Sequence, residues 1–205
     1  MSTFFAQLPE NIRETLATNA GIMLSDFDPA AAFTEEAIRS KLLFATTGGV
    51  NPVCAATMKD FGSDIDNCPK NTMELAEIES WECSIGGTAL TVTADTAVSL
   101  FGAADKSTDA KDSKIAVVQP RMTLKQTDFK TIWYVCHYGT SDGFVAIKLE
   151  NAISTGGFSM QSTDKEKGKF TFTYKGFSSA SEPAKVPFTF YVKQGSAEAA
   201  QVNLT

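Results

Sequence analysis

A single histidine in 205 residues removes the commonest general base and metal ligand from nearly the whole chain. That residue, His137, follows Cys136. Neighbours along a strand point to opposite faces, so the two cannot form a thiol–imidazole nucleophile, and His137 reads as structural. Gly48-Gly49, Gly86-Gly87 and Gly156-Gly157 are not followed by Gly-Lys-Ser/Thr. They therefore read as bends or bulges at strand ends, not as phosphate cradles. No run approaches the roughly 18 apolar residues of a membrane span. No basic run or arginine-rich stripe is present, which argues against tight binding to nucleic acid. The opening residues lack the basic and apolar segments of a secretion signal, so synthesis in the cytoplasm is expected. These absences point to a protein that is not an enzyme and that needs no cofactor and no metal.

Cysteine is scarce but even in number: Cys54, Cys68, Cys83 and Cys136. Two disulfides are conceivable, yet the spacing contains no Cys-x-x-Cys and fits no zinc pattern. Without a secretion signal the four read as reduced, small apolar residues. The segment holding Asp60, Asp64, Asp66 and Asn67 invites comparison with a calcium loop. It misses both the ligand spacing and the required glycine, and reads instead as a solvated or interface loop.

The composition that remains is that of a folded domain. Hydrophobic residues make up 43% and charged residues 20%, which suits one globular core and is too little chain for two comfortable ones. The net charge of −6 hides an asymmetry. Residues 1–110 hold 6 basic against 16 acidic side chains, a net of −10, and residues 111–205 hold 12 against 8, a net of +4. Opposite halves of this kind permit head-to-tail association, although solvated faces alone would explain them too.

Strict alternation in Phe170-Thr-Phe-Thr-Tyr-Lys175 sends the aromatics to one face of a strand, and Val186–Val192 repeats the rhythm. Strands are expected at 22–24, 50–58, 81–85, 115–119, 131–138, 143–151, 156–162, 169–177 and 186–193. Both faces of Ile132-Trp-Tyr-Val-Cys136 are apolar, which predicts a central strand covered on each side. The clearest helix is 93–102, with Thr93 as cap, Asp95 in the first turn and Gly102 as stop. Weaker helices are expected at 8–21, where Pro9 suits a first turn, and at 34–43. Residues 103–114 read as an exposed loop and 60–71 as a turn-rich one. The pattern is mainly β, a sandwich or partial barrel with one flanking helix near 94–101 and a short N-terminal helix. It divides into an extension (1–20), the β domain (21–194) and a mobile tail (195–205).

Several segments in order resemble the major tail tube protein family of long-tailed bacteriophages and prophages of Gram-positive bacteria. They are Asn19–Pro29, Ala45-Thr-Thr-Gly-Gly-Val-Asn51, the Asp64–Pro69 loop with Met73-Glu-Leu75, and Trp81. Leu100–Asp105, Leu124–Phe129 before Ile132-Trp133, Gly143–Phe158 and the closing strands to Val192 complete the set. The resemblance covers about residues 19–193; the ends and the Lys106–Lys114 loop fall outside the pattern.

The resemblance implies a structural virion protein forming hexameric rings stacked into a hollow tail tube through which DNA is ejected. Partners would be further copies of the chain, tail tip and tail terminator proteins, and phage DNA passing without specific binding; no membrane is involved. The location would be the virion tail, assembled in the host bacterial cytoplasm. An acidic lumen would repel the phosphate backbone. Asp60, Asp64, Asp66 and Asn67 would belong to a loop reaching an adjacent subunit or ring. The rival readings are a tube subunit of a contractile tail, bacteriocin or type VI-like secretion particle, and a monomeric β-sandwich binding module displaying Trp133, Tyr138 and Tyr191. A hydrolase has the least support, for want of a nucleophile and base.

Overall fold

The computed structural model describes residues 16, 19–31, 34–138 and 143–195. Their order is β1 (Ile22–Leu24), α1 (Glu35–Lys41), β2 (Leu42–Phe44), β3 (Thr46–Asp60), β4 (Ala76–Ala89), α2 (Ala94–Phe101), β5 (Ala104–Thr108), β6 (Ala116–Pro120), β7 (Lys130–His137), β8 (Phe144–Ser154), β9 (Ser159–Gln161), β10 (Lys169–Gly176) and β11 (Phe188–Lys193). The fold is mainly β, as the alternation predicts. Of the helix expected at 8–21, residues 16 and 19–21 are described and are not helical, and the rest lies outside the described residues, as does the tail beyond Gly195.

One antiparallel sheet runs β2-β1-β7-β8-β10-β4-β3. Its two ends belong to the same stretch of chain: β2 runs into β3 through Ala45 alone. That residue is held on both sides, because Ala45 N donates to Thr91 Oγ1 at 3.0 Å and Ala45 O accepts from Leu90 N at 2.8 Å. The sheet thus curls back to the strand on which it began, as a partial barrel does. Strand β8 is shared further. Its residues 144–149 pair with β11 on the edge where residues 152–154 pair with β10.

The enclosed core takes alternate residues from every wall, as a two-residue period requires. Met23, Phe44, Ile85, Ile132, Tyr134, Ile147, Leu149, Phe172 and Tyr174 are all buried in it. Strand β7 is central as expected. Its Trp133 and Val135 turn to the other face, into a second cluster with Leu24, Phe144 and Ala146, covered by Phe27 and by Ile38 of α1.

Helix α2 closes one end. The Thr93 hydroxyl accepts from Thr96 N at 3.2 Å, and Gly102 follows with φ +78°, so both expected termini are in place. Leu100 enters the core, and Ser99 Oγ lies 3.0 Å from Tyr174 Oη.

Three expectations need correction. The segment 103–114 is not all loop: Ala104–Thr108 forms β5 and pairs with β6 in a separate hairpin. Its Asp-Lys-Ser-Thr sequence has no apolar alternation to betray a strand, because little of it is buried. Gly86-Gly87 lies inside β4, at no bend; Gly87 is small because the Phe172 ring sits where its Cβ would be, 2.8 Å away. The strand expected at 156–162 shrinks to Ser159–Gln161.

Candidate assembly site

Strands β3 and β4 pair from Thr46↔Ala89 out to Asp60↔Ala76. Strand β10 flanks β4 only as far as Lys175↔Ser84. Beyond that point the hairpin projects as a two-stranded ribbon with no third strand beside it among the described residues. The strand expected at 81–85 is therefore the middle of a far longer one.

Local sequence explains the ribbon's shape. Gly48 and Gly49, at φ +73° and +87°, form a bulge in which β3 carries two residues more than its partner, and only glycine holds such a conformation cheaply. Pro52 sits in β3, which among the described residues has β4 on one side and no strand on the other, an edge position that tolerates the missing N–H. A second irregularity falls between Thr57 and Met58.

The ribbon is amphipathic. Two-residue spacing carries the core-facing side of Cys54 and Cys83 outward to Ala56 and its partner Trp81, then to Met58 and its partner Ile78. These large residues are uncovered: Trp81 is 42%, Ile78 47% and Met58 58% exposed. The other side is polar, with Glu82 reaching Lys175 Nζ at 3.4 Å. Residues 55–82 hold seven carboxylates against Lys59 and Lys70, a net of −5.

The tip carries all four candidate residues, and they play different parts. Asp60 staples the loop: its carboxylate accepts from Gly62 N at 2.8 Å and from Asn71 N at 3.0 Å. Those two amide bonds, Asn71 first, hold its pKa below the usual carboxylate value. Asn67 sits at φ +59°, in a left-handed turn position that asparagine accepts. Asp64 and Asp66 are exposed, and among the described residues their side chains make no hydrogen bond or ion pair. Phe61 N donates to Leu75 O at 3.0 Å and closes the neck. Phe61, Ile65 and Met73 stand exposed beside the acids, Met73 at 80%.

Compared with protein-family models and with curated proteins, the chain matches none.

Among the described residues, no group of three or more His, Cys, Asp or Glu side chains is placed to hold a metal, and no helix is long and apolar enough to cross a membrane. Cys136 is buried in the main core. Trp133, a candidate for an exposed sugar-binding face, is only 5% exposed and packs against Phe27 and Tyr191 at 5.6 and 5.5 Å.

Sequence reasoning missed the apolar side of the ribbon. The signal was present in Met58, Ile78 and Trp81, but seeing that they share a face requires the register.

Proposed function

We propose that the chain is a structural subunit that assembles with copies of itself into stacked hexameric rings, building the hollow tail tube of a phage through which DNA is ejected. The observation that carries this reading is the β3–β4 ribbon. It projects from a curled sheet, exposes Trp81, Ile78 and Met58 along one side, and ends in an acidic tip. A free two-stranded ribbon is marginally stable in water, and contiguous exposed apolar surface marks an interaction site. A second copy is the natural occupant, because the ribbon's net charge of −5 faces a basic second half of net +4.

Two open edges support the same reading. Among the described residues strands β3 and β11 each pair on one side only, and Phe190 and Val192 of β11 are exposed. Joining such edges between neighbouring subunits would give a continuous barrel and remove the edge hazard. In this arrangement Asp64 and Asp66 are tip contacts, and Asp60 and Asn67 hold the loop that presents them.

The test is negative-stain electron microscopy of the purified protein across a concentration series. Hollow tubes or stacked rings are expected. Monomers alone at every concentration, with tail-tip components added, would discard the tube and promote a monomeric binding module.

A further inference from the structure

Two thiols face each other where the ribbon leaves the core. Cys54 of β3 is the direct register partner of Cys83 of β4, and their Sγ atoms lie 2.7 Å apart. Both are free thiols. The pair sits one step beyond Lys175↔Ser84, where the support of β10 ends, and one step before the exposed pair Ala55↔Glu82. Cys83 is wholly buried, whereas Cys54 is half-buried and reachable from one side. The other two cysteines stand elsewhere: Cys68 in the tip loop beside Thr72, and Cys136 in β7.

The geometry points to Cys54 and Cys83 as a reversible thiol–disulfide site that locks edge strand β3 to β4 at the root of the ribbon. A sulfur–sulfur bond is about 2.05 Å long, so the two atoms need to approach by roughly 0.6 Å. Directly opposed strand residues keep their Cβ atoms about 4.5–5.5 Å apart, near the upper end of what a disulfide spans. The bond forms and breaks by thiol–disulfide exchange, which makes it a latch and not a permanent staple.

The oxidant is a small-molecule disulfide such as oxidised glutathione. The Cys54 thiolate attacks one of its sulfurs and expels one glutathione thiolate, leaving a mixed disulfide on Cys54. Cys83 then gives its proton to solvent and attacks Cys54 Sγ, expelling the second glutathione. Two protein thiols lose two electrons in all, and one glutathione disulfide becomes two glutathiones, which carry the two protons. Burial first, and Cys54 beside it, pushes the Cys83 thiol up to about 12; Cys54 is accordingly the point of entry, and Cys83 the resolving thiol.

The latch acts on a vulnerable place. Strand β3 has β4 as its strand partner along the whole ribbon, so it can leave only by unzipping from β4. A bond at Cys54–Cys83 closes a loop holding the entire tip and removes freedom from the unfolded chain. The inference is independent of the tube reading, because its primary readout is a covalent bond within one chain.

The full-length protein is incubated under native conditions with excess oxidised glutathione, the reagent is removed, and free thiols are counted before peptide mapping. The expected result is loss of two of the four thiols, a Cys54–Cys83-linked peptide, and recovery of both thiols with dithiothreitol. The oxidised form should melt higher by roughly 5–10 °C. Cys54→Ser should abolish the loss of both thiols and the melting shift; Cys68→Ser should leave both intact. A linkage using Cys68 or Cys136, a glutathione adduct that persists on Cys54, or disulfide-linked dimers on a non-reducing gel would each overturn the assignment.

Discussion

The ring of Phe44 lies 4.8 Å from the ring of Phe172, inclined at 55°, and this contact joins the strand that ends the curled sheet to a strand of its opposite wall. Phe44 belongs to β2, just before the bend at Ala45, and Phe172 to the middle of β10. Both are nearly inaccessible to solvent. Closure of the sheet therefore depends on aromatic packing across the core as well as on backbone pairing.

Phe172→Ala should cost about 3–5 kcal/mol, the range for removing a buried aromatic side chain. Urea unfolding followed by fluorescence would measure it. Combining it with Phe44→Ala in a double-mutant cycle should recover a coupling of about 0.5–1.5 kcal/mol. Strict additivity would mean that the two walls are joined by other contacts.

Tyr174 makes the fold sensitive to alkali. Burial pushes its phenol up to about 12 from an ordinary 10, and the Ser99 hydroxyl only partly opposes that shift. The raised folded pKa favours the neutral phenol in the native state. Its contribution is thus complete below pH 10 and is lost as pH rises toward 12. A loss on the order of 2 kcal/mol across that window is expected from equilibrium unfolding at stepped pH. Tyr174→Phe should reduce that dependence, with Tyr134 and Cys83, both also raised to about 12 with burial the first cause, supplying what remains.

Asp60→Asn should loosen the tip while leaving the core intact. The carboxylate accepts two amide protons, from Gly62 and Asn71, and an amide side chain is a weaker acceptor for both. Hydrogen exchange at those two amides should quicken in the variant. In the native protein the protection of those amides, relative to an unstructured amide at the same pH, should fall as pH drops through the lowered pKa of Asp60, because a depressed carboxyl contributes only while it is ionised.

On the proposed reading the ribbon would serve assembly and not folding. Trp81→Ser should alter unfolding stability by no more than about 1 kcal/mol, since the ring is already substantially exposed. It should nevertheless suppress self-association in sedimentation. The double variant Asp64→Asn with Asp66→Asn should behave alike, as neither carboxylate has an intramolecular partner among the described residues. Unchanged polymerisation in that double variant would remove the tip from the interface.

Where local chemistry decides structure, the chain was legible. Helix α2 is readable because its cap and stop are encoded within ten residues: Thr93 bonds Thr96 N, and Gly102 takes a positive φ. Strand β7 is readable because burial on both faces leaves an unbroken apolar run. Strand β5 was missed because Asp105, Lys106, Ser107 and Thr108 bury too little to show a period. The outer half of β3 was legible to Met58, whereas that of β4 was missed, because the irregularity opposite Thr57 and Met58 breaks its alternation.

The sequence by itself determined a mainly β domain, a helix at 94–101 and an acidic loop at 60–71, since each depends on periodicity or capping within a few neighbours. Tertiary structure alone decided that the sheet returns to its own first strand at Ala45, that Trp81, Ile78 and Met58 share one uncovered face, and that Cys54 meets Cys83. Those three facts depend on register between strands far apart in the chain, and a slip of one residue would send each of these side chains to the opposite face.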